Sequence, residues 1–181
     1  NNRNDNSRSG TLENLQDRPR HISQSIDFLI SDPHFKSMID MDRISVIGHS
    51  LGGYTALALA GGKPHTQHQI KYDPHNTIKK SQFIEVSRDS RVKAIVLLAP
   101  ATGWYASPNA LSEVNVPILM MSGEHDTMTP LLHADIVKQG LSDLSKLNHH
   151  IIKNGTHFSF LSPFPQEMIS PQFPPGNDPI G

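Results

Sequence analysis

Apolar and polar positions along the chain fall into two periods. Short unbroken apolar runs occur at Ile44-Ser45-Val46-Ile47, at Ala94-Ile95-Val96-Leu97-Leu98-Ala99 within 92–99, and at Pro117 to Met121. Runs of this length and β-branched content read as strands buried on both faces. A fourth, His149 to Lys153, is shorter and more polar, which predicts a strand nearer the sheet edge. Between the strands the spacing changes. Ile22, Ile26, Leu29 and Ile30 recur at helical intervals, and with Pro19 in a first turn and Asp17 as cap they predict an amphipathic helix ending near Ser31-Asp32-Pro33. Further helical segments are expected over 34–39, from Leu51 to Gly61-Gly62, and over 130–139 before Gly140.

Three stretches lack core potential: a polar loop over 1–17, a polar insertion over 63–91, and a tail over 161–181 that carries Pro163, Pro165, Pro171, Pro174, Pro175 and Pro179. So many prolines exclude a helix or a central strand, so the tail is expected on the surface. Strands alternating with helices predict one α/β domain, its sheet mostly parallel with helices on both faces. Ser50, Trp104, Asp126 and His157 each follow a predicted strand, and in such sheets the strand C-termini gather the functional groups.

Composition narrows the function. The sixteen Lys and Arg residues are dispersed in a chain of net charge −1, which gives no footprint for nucleic acid or a polybasic membrane patch. No apolar run is long enough for a membrane span. There is no cysteine, hence no disulfide, thiolate metal site or cysteine nucleophile. His65, His68 and His75 share a polar segment without an acidic partner at fixed spacing, so neither a metal nor another cofactor is expected. The expected partner is a small molecule, and the oligomeric state is left open.

The chemistry centres on Gly48-His49-Ser50-Leu51-Gly52-Gly53. A strand before and an alanine- and leucine-rich helix after force the chain to reverse with Ser50 at the tip, in a strained conformation. Gly48 and Gly52 are expected to permit it, because a side chain at either would collide where strand and helix approach. Ser50 then stands at a helix N-terminus, where the Leu51 N–H and the helix dipole favour a developing negative charge. A serine nucleophile needs a base, and the base an orienting group. His157 is the expected base and Asp126 the acid, with Glu124 the alternative acid and His149 and His150 the alternative bases nearest in the chain. Trp104 and Tyr105 are expected either to wall an apolar acyl pocket or to pack.

These segments, together with Gly123-Glu124-His125-Asp126-Thr127-Met128-Thr129-Pro130 and Gly155-Thr156-His157-Phe158, resemble the three catalytic segments of α/β-hydrolases in order and spacing. The Arg18-Pro19-Arg20 helix start and Gly52-Gly53-Tyr54-Thr55-Ala56-Leu57-Ala58 are similar to the predicted dienelactone hydrolase-like branch, which is related to platelet-activating-factor acetylhydrolases and polyester-degrading cutinases. The resemblance runs from about Arg18 to Phe160. It implies Ser50 as nucleophile, Asp126 as acid, His157 as base, and hydrolysis of small or medium carboxylic esters. An amide or thioester hydrolase with the same triad, or a non-catalytic binding module of the same fold, are the alternatives. The founding dienelactone hydrolases use cysteine where Ser50 stands, so dienelactone is not the expected substrate. Such enzymes also have further N-terminal strands, a loop with a second oxyanion donor and a long C-terminal helix. The resemblance therefore implies a partial α/β-hydrolase fold, an internal piece of a larger hydrolase.

Overall fold

The structure is a computed structural model that describes Arg8, residues 11–66 and residues 82–162. Four parallel strands, β1 (Ile44–His49), β2 (Val92–Leu98), β3 (Ile118–Gly123) and β4 (Leu147–Ile152), form one sheet in chain order. The fold is thus of the α/β class. Helices α1 (Leu12–Ser31), α2 (Pro33–Lys36), α3 (Leu51–Leu59) and α4 (Leu132–Gly140) complete it. No helix among the described residues is long and apolar enough to cross a membrane.

Register places Val46, Ile95, Ile118 and Leu147 in one row across the sheet, with Gly48, Leu97, Met120 and His149 in the next row on the same face. Ile95, Leu97, Ile118 and Met120 from this face form the core with Leu15 of α1, Tyr54, Leu57 and Leu59 of α3, and Ala134 and Val137 of α4. The opposite face carries Ile47, Val96, Leu98, Leu119 and Met121, none of them fully buried, with Ile47 70% exposed. Among the described residues the helices contribute to one face, where the unbroken apolar runs predict both.

Helix α1 begins five residues before the Asp17 that the pattern nominates as its cap. Thr11 is the N-cap, its hydroxyl accepting from the Asn14 N–H. Residues 12–17, expected in a loop, are therefore helical, and Pro19 sits inside the helix. A proline there removes the bond that its N–H would give to the Leu15 carbonyl. The Tyr54 hydroxyl of α3 donates to that carbonyl at 3.2 Å instead. A tertiary contact thus satisfies the acceptor that proline leaves open.

Within the polar insertion, residues 67–81, with His68 and His75, lie outside the described residues. Ile84 is fully buried in the core, and an isolated bridge pairs His65 with Phe83, so the ends of this segment pack more closely than its composition predicts. At its far end Asp89 takes a bidentate pair from Arg91, 2.8 Å from Nε and 2.6 Å from Nη2. Arg91 also reaches Asp27 of α1 at 2.6 Å, clamping the helix to the start of β2. The guanidinium bonds hold the Asp89 carboxyl at about 2, below the usual aspartate range.

The reversal at Ser50 depends on two close approaches. An added Cβ at Gly48 would lie 2.2 Å from the Gly52 carbonyl oxygen, and one at Gly53 would lie 2.5 Å from the Pro100 side chain. At Gly52 an added Cβ meets nothing within 4 Å. The constraint expected at Gly52 therefore belongs to Gly53, because it is the Gly52 backbone that presses on the strand.

Two outcomes are expected from urea unfolding of the full-length protein. Gly48→Ala should destabilise it by about 3 kcal/mol, since backbone must shift, whereas Gly52→Ala should be neutral or stabilising by up to about 1 kcal/mol as a helix gains alanine for glycine. For Asp89, a native-state pKa below the unfolded value gives stabilisation that is complete above the unfolded pKa and is lost as pH falls through the native one. The stability advantage of wild type over Asp89→Asn should be full above about pH 4 and shrink as pH falls toward about 2.

Candidate active site at the strand ends

Ser50 follows β1 as the residue before α3, with φ 53° and ψ −118°. A non-glycine residue there carries strain of about 1–3 kcal/mol. Three bonds hold it: its N–H donates to the Leu98 carbonyl at 3.0 Å, and its carbonyl accepts from the N–H groups of Gly53 and Ala101, each at 2.9 Å. Serine at a helix start ordinarily caps a backbone N–H, but this side chain makes no capping bond. The hydroxyl is thereby left for other partners. Leu51 is the first residue of α3, so its N–H has no acceptor within the helix and stands beside Ser50 at the positive end of the dipole.

Asp126 and His157 meet directly. His157 Nδ1 lies 2.9 Å from Asp126 Oδ2, and both residues are 4% exposed. An ionised carboxylate only accepts, so Nδ1 carries a proton and donates it to Asp126. Asp126 Oδ1 accepts from the N–H groups of Met128 and Thr129, at 2.9 and 2.8 Å. Burial works to raise the Asp126 pKa, but the Thr129 hydroxyl and N–H and the His157 ring outweigh it and hold the carboxyl below its usual range. Glu124, the alternative acid, instead accepts from the Asn154 N–H at 2.9 Å and braces the turn after β4. His149 Nε2 contacts Ser122 Oγ at 3.0 Å, and it and His150 pair with Met120 and Met121 on opposite faces of the sheet.

Two residues that the sequence does not single out complete this cluster. Thr129 Oγ lies 2.6 Å from Asp126 Oδ2, 3.1 Å from His157 Nδ1 and 3.0 Å from the Ala99 carbonyl, joining the ends of β2, β3 and β4. Its signal in the sequence was the Asp-x-x-Thr spacing, which also reads as an ordinary turn before Pro130. His49 Nε2 lies 2.7 Å from the His157 carbonyl, with the rings 4.7 Å apart. A carbonyl only accepts, so His49 Nε2 donates. Burial pushes the His49 imidazole below the ordinary histidine range and preserves this neutral donor form. His49 therefore joins the Ser50 turn to the His157 loop. Among the described residues no hydrogen bond links Ser50 Oγ to His157 itself.

Trp104 is half-buried, edge-on to Tyr54 at 5.3 Å. Tyr105 is a core residue, 1% exposed, its hydroxyl donating to the Tyr54 carbonyl at 2.7 Å. The pocket-wall expectation for Tyr105 thus gives way to packing, because its polar end is consumed inside the core. His65, considered for a metal, packs edge-on to Phe83 at 5.8 Å, and among the described residues no cluster of three His, Asp or Glu side chains suits a metal ion.

Scanned against protein families, the chain matches none. It is similar to curated proteins: 27% identical over 150 residues to a bis(hydroxyethyl) terephthalate hydrolase of Streptomyces coelicolor, covering 82% of this chain and 39% of the relative. It is 28% identical over 152 residues to cutinase 2 of Thermobifida cellulosilytica, covering 82% of this chain and 47% of that protein. It is likewise 28% identical over 152 residues to cutinase cut1 of Thermobifida fusca, covering 82% and 38%. The chain spans less than half the length of these relatives.

Proposed function

We propose that the protein is a serine hydrolase of small or medium carboxylic esters, with Ser50 as nucleophile, His157 as general base and acid, and Asp126 as the orienting acid. The observation that carries this reading is the buried Asp126–His157 pair at 2.9 Å on the same sheet edge as a strained serine at a helix start. The names of the relatives, a terephthalate ester hydrolase and two cutinases, agree with ester chemistry.

In this reading the Ser50 Oγ attacks the ester carbonyl carbon while its proton passes to His157 Nε2. The carbonyl oxygen becomes an oxyanion, received by the Leu51 N–H at the N-terminus of α3. Asp126 stabilises the imidazolium without taking its proton. As the tetrahedral centre collapses, the C–O bond to the alcohol breaks and His157 delivers the proton to the leaving oxygen. Water then repeats the sequence on the acyl-Ser50 ester, losing its proton to His157, and the carboxylic acid departs as Oγ recovers a proton. In this reading Trp104, half-buried after β2, walls the acyl group. No step calls for a metal or an organic cofactor.

The test is hydrolysis of p-nitrophenyl esters and of bis(2-hydroxyethyl) terephthalate by the full-length protein, paired with fluorophosphonate labelling and mass-spectrometric location of the adduct. The adduct should sit on Ser50, and Ser50→Ala should lower kcat by about 10⁶-fold. Cleavage of anilides or thioesters but not oxygen esters would shift the substrate class while keeping the triad. A folded protein with no adduct on Ser50 would overturn the nucleophile assignment and leave a binding module of this fold.

A further inference from the structure

We propose that Thr129 is a positioning residue for the base, its one hydroxyl proton turning between the Asp126 carboxylate and the Ala99 carbonyl as His157 loses and gains its proton. The inference rests on the reading of Asp126 and His157 given above. A hydroxyl has one proton and two lone pairs. Thr129 Oγ nevertheless has two pure acceptors in range, Asp126 Oδ2 at 2.6 Å and the Ala99 carbonyl at 3.0 Å. It can serve only one of them at a time, and which one it serves changes the charge that Asp126 presents.

With the hydroxyl turned to Asp126, four donors surround the carboxylate: two N–H groups on Oδ1, and the hydroxyl together with His157 Nδ1–H on Oδ2. This is the arrangement for a neutral ring, because the hydroxyl compensates an anion that the imidazole holds only weakly. When His157 takes the serine proton, the Nδ1–H bond joins two charged groups instead of one and gains most from an uncontested Oδ2. Turning the hydroxyl to Ala99 frees that oxygen. It also directs an Oγ lone pair toward Nδ1–H, 3.1 Å away, as a second acceptor for the imidazolium. No proton leaves Thr129; the bond to one acceptor is exchanged for a bond to another.

Burial makes the exchange matter. Thr129 is 6% exposed, so water competes poorly for the hydroxyl, and polar groups in such a site act at full strength. Among the described residues the neighbouring rings add no competing charge: burial holds both His49 and His133 below the ordinary histidine range, and Phe158 lies edge-on at 5.2 Å. Ala99 supports the same account. It follows β2 with φ 43°, unusual for a residue with a side chain, and is anchored by its N–H to the Met121 carbonyl at 2.8 Å. The strained backbone presents its own carbonyl to Thr129.

The experiment compares Thr129→Val, which keeps the shape and removes the hydroxyl, with Thr129→Ser, which keeps the hydroxyl, in the full-length protein on p-nitrophenyl butyrate. Thr129→Val should lower kcat about tenfold with KM little changed, the scale of one hydrogen bond to a charged group, and Thr129→Ser should restore most of it. In a Ser50→Ala background the low-field Nδ1–H proton resonance of His157 should move in Thr129→Val and stay in Thr129→Ser. That resonance reads the cluster without turnover, so a protein inactive on esters would sink the ester reading while leaving this one measurable. Should Thr129→Val fail to fold, Thr129→Ala supplies the hydroxyl-free variant. Equal impairment in the serine and valine variants, a change in KM alone, or an unmoved resonance in the hydroxyl-free variant would overturn the proposal.

Discussion

The reversal between β1 and α3 is the constraint to which the rest of the site is fitted. Leaving the strand and entering the helix within one residue brings the Gly52 carbonyl against Gly48 and puts Ser50 at φ 53°. The turn does not hold alone. Its N–H and carbonyl are bonded to Leu98 and Ala101, on either side of the chain's exit from β2, and Gly53 leaves room for Pro100 between them. The exit from β2 in turn presents Ala99 to Thr129, and Thr129 meets Asp126 and His157. The position of Ser50 is thus transmitted through the exit from β2 to Asp126 and His157, without requiring a direct contact to set it.

That chain of contacts explains why so much polarity is buried at one edge. A buried carboxylate and imidazole cost folding energy unless every donor and acceptor is matched, and a partly matched network is worse than an apolar one. Here Asp126 has donors on both oxygens, His157 has Nδ1 and its carbonyl engaged, and Thr129 joins the two side chains. Satisfying these groups also fixes their orientation, so the matching that stability demands also sets how the His157 ring lies.

The strands, the Ser50 turn and the order of Ser50, Asp126 and His157 were legible because each is encoded locally, in apolar runs and in glycine flanks. What was not legible depends on distant residues. Helix α1 starts early because Tyr54 repairs the defect that Pro19 makes at Leu15, so proline reads as a helix start when it lies inside one. The glycine motif points to Gly52, yet the tight contact falls on Gly53, since its neighbour Pro100 arrives from another strand. Thr129 looks like turn chemistry until the ends of β2 and β4 are brought to it. Tyr105 carries the amphipathic character of a pocket residue, and only the Tyr54 carbonyl, 51 positions away, turns it inward.

The all-parallel order of the sheet also governs how this chain reaches its fold. No strand can pair with the next through a tight hairpin; β1 must wait for β2 across the whole span from His49 to Val92, and β2 and β3 are likewise separated by intervening chain. Loop closure precedes the reward of each such pairing, which makes assembly slow and leaves strand edges open during it. Ile47, Val96, Leu98, Leu119 and Met121 line one face of those strands, and a net charge of −1 gives the chain little repulsion from its own copies. The same topology that gathers the polar cluster at one edge thus makes the interval before the sheet closes the period when this sequence is most exposed to self-association.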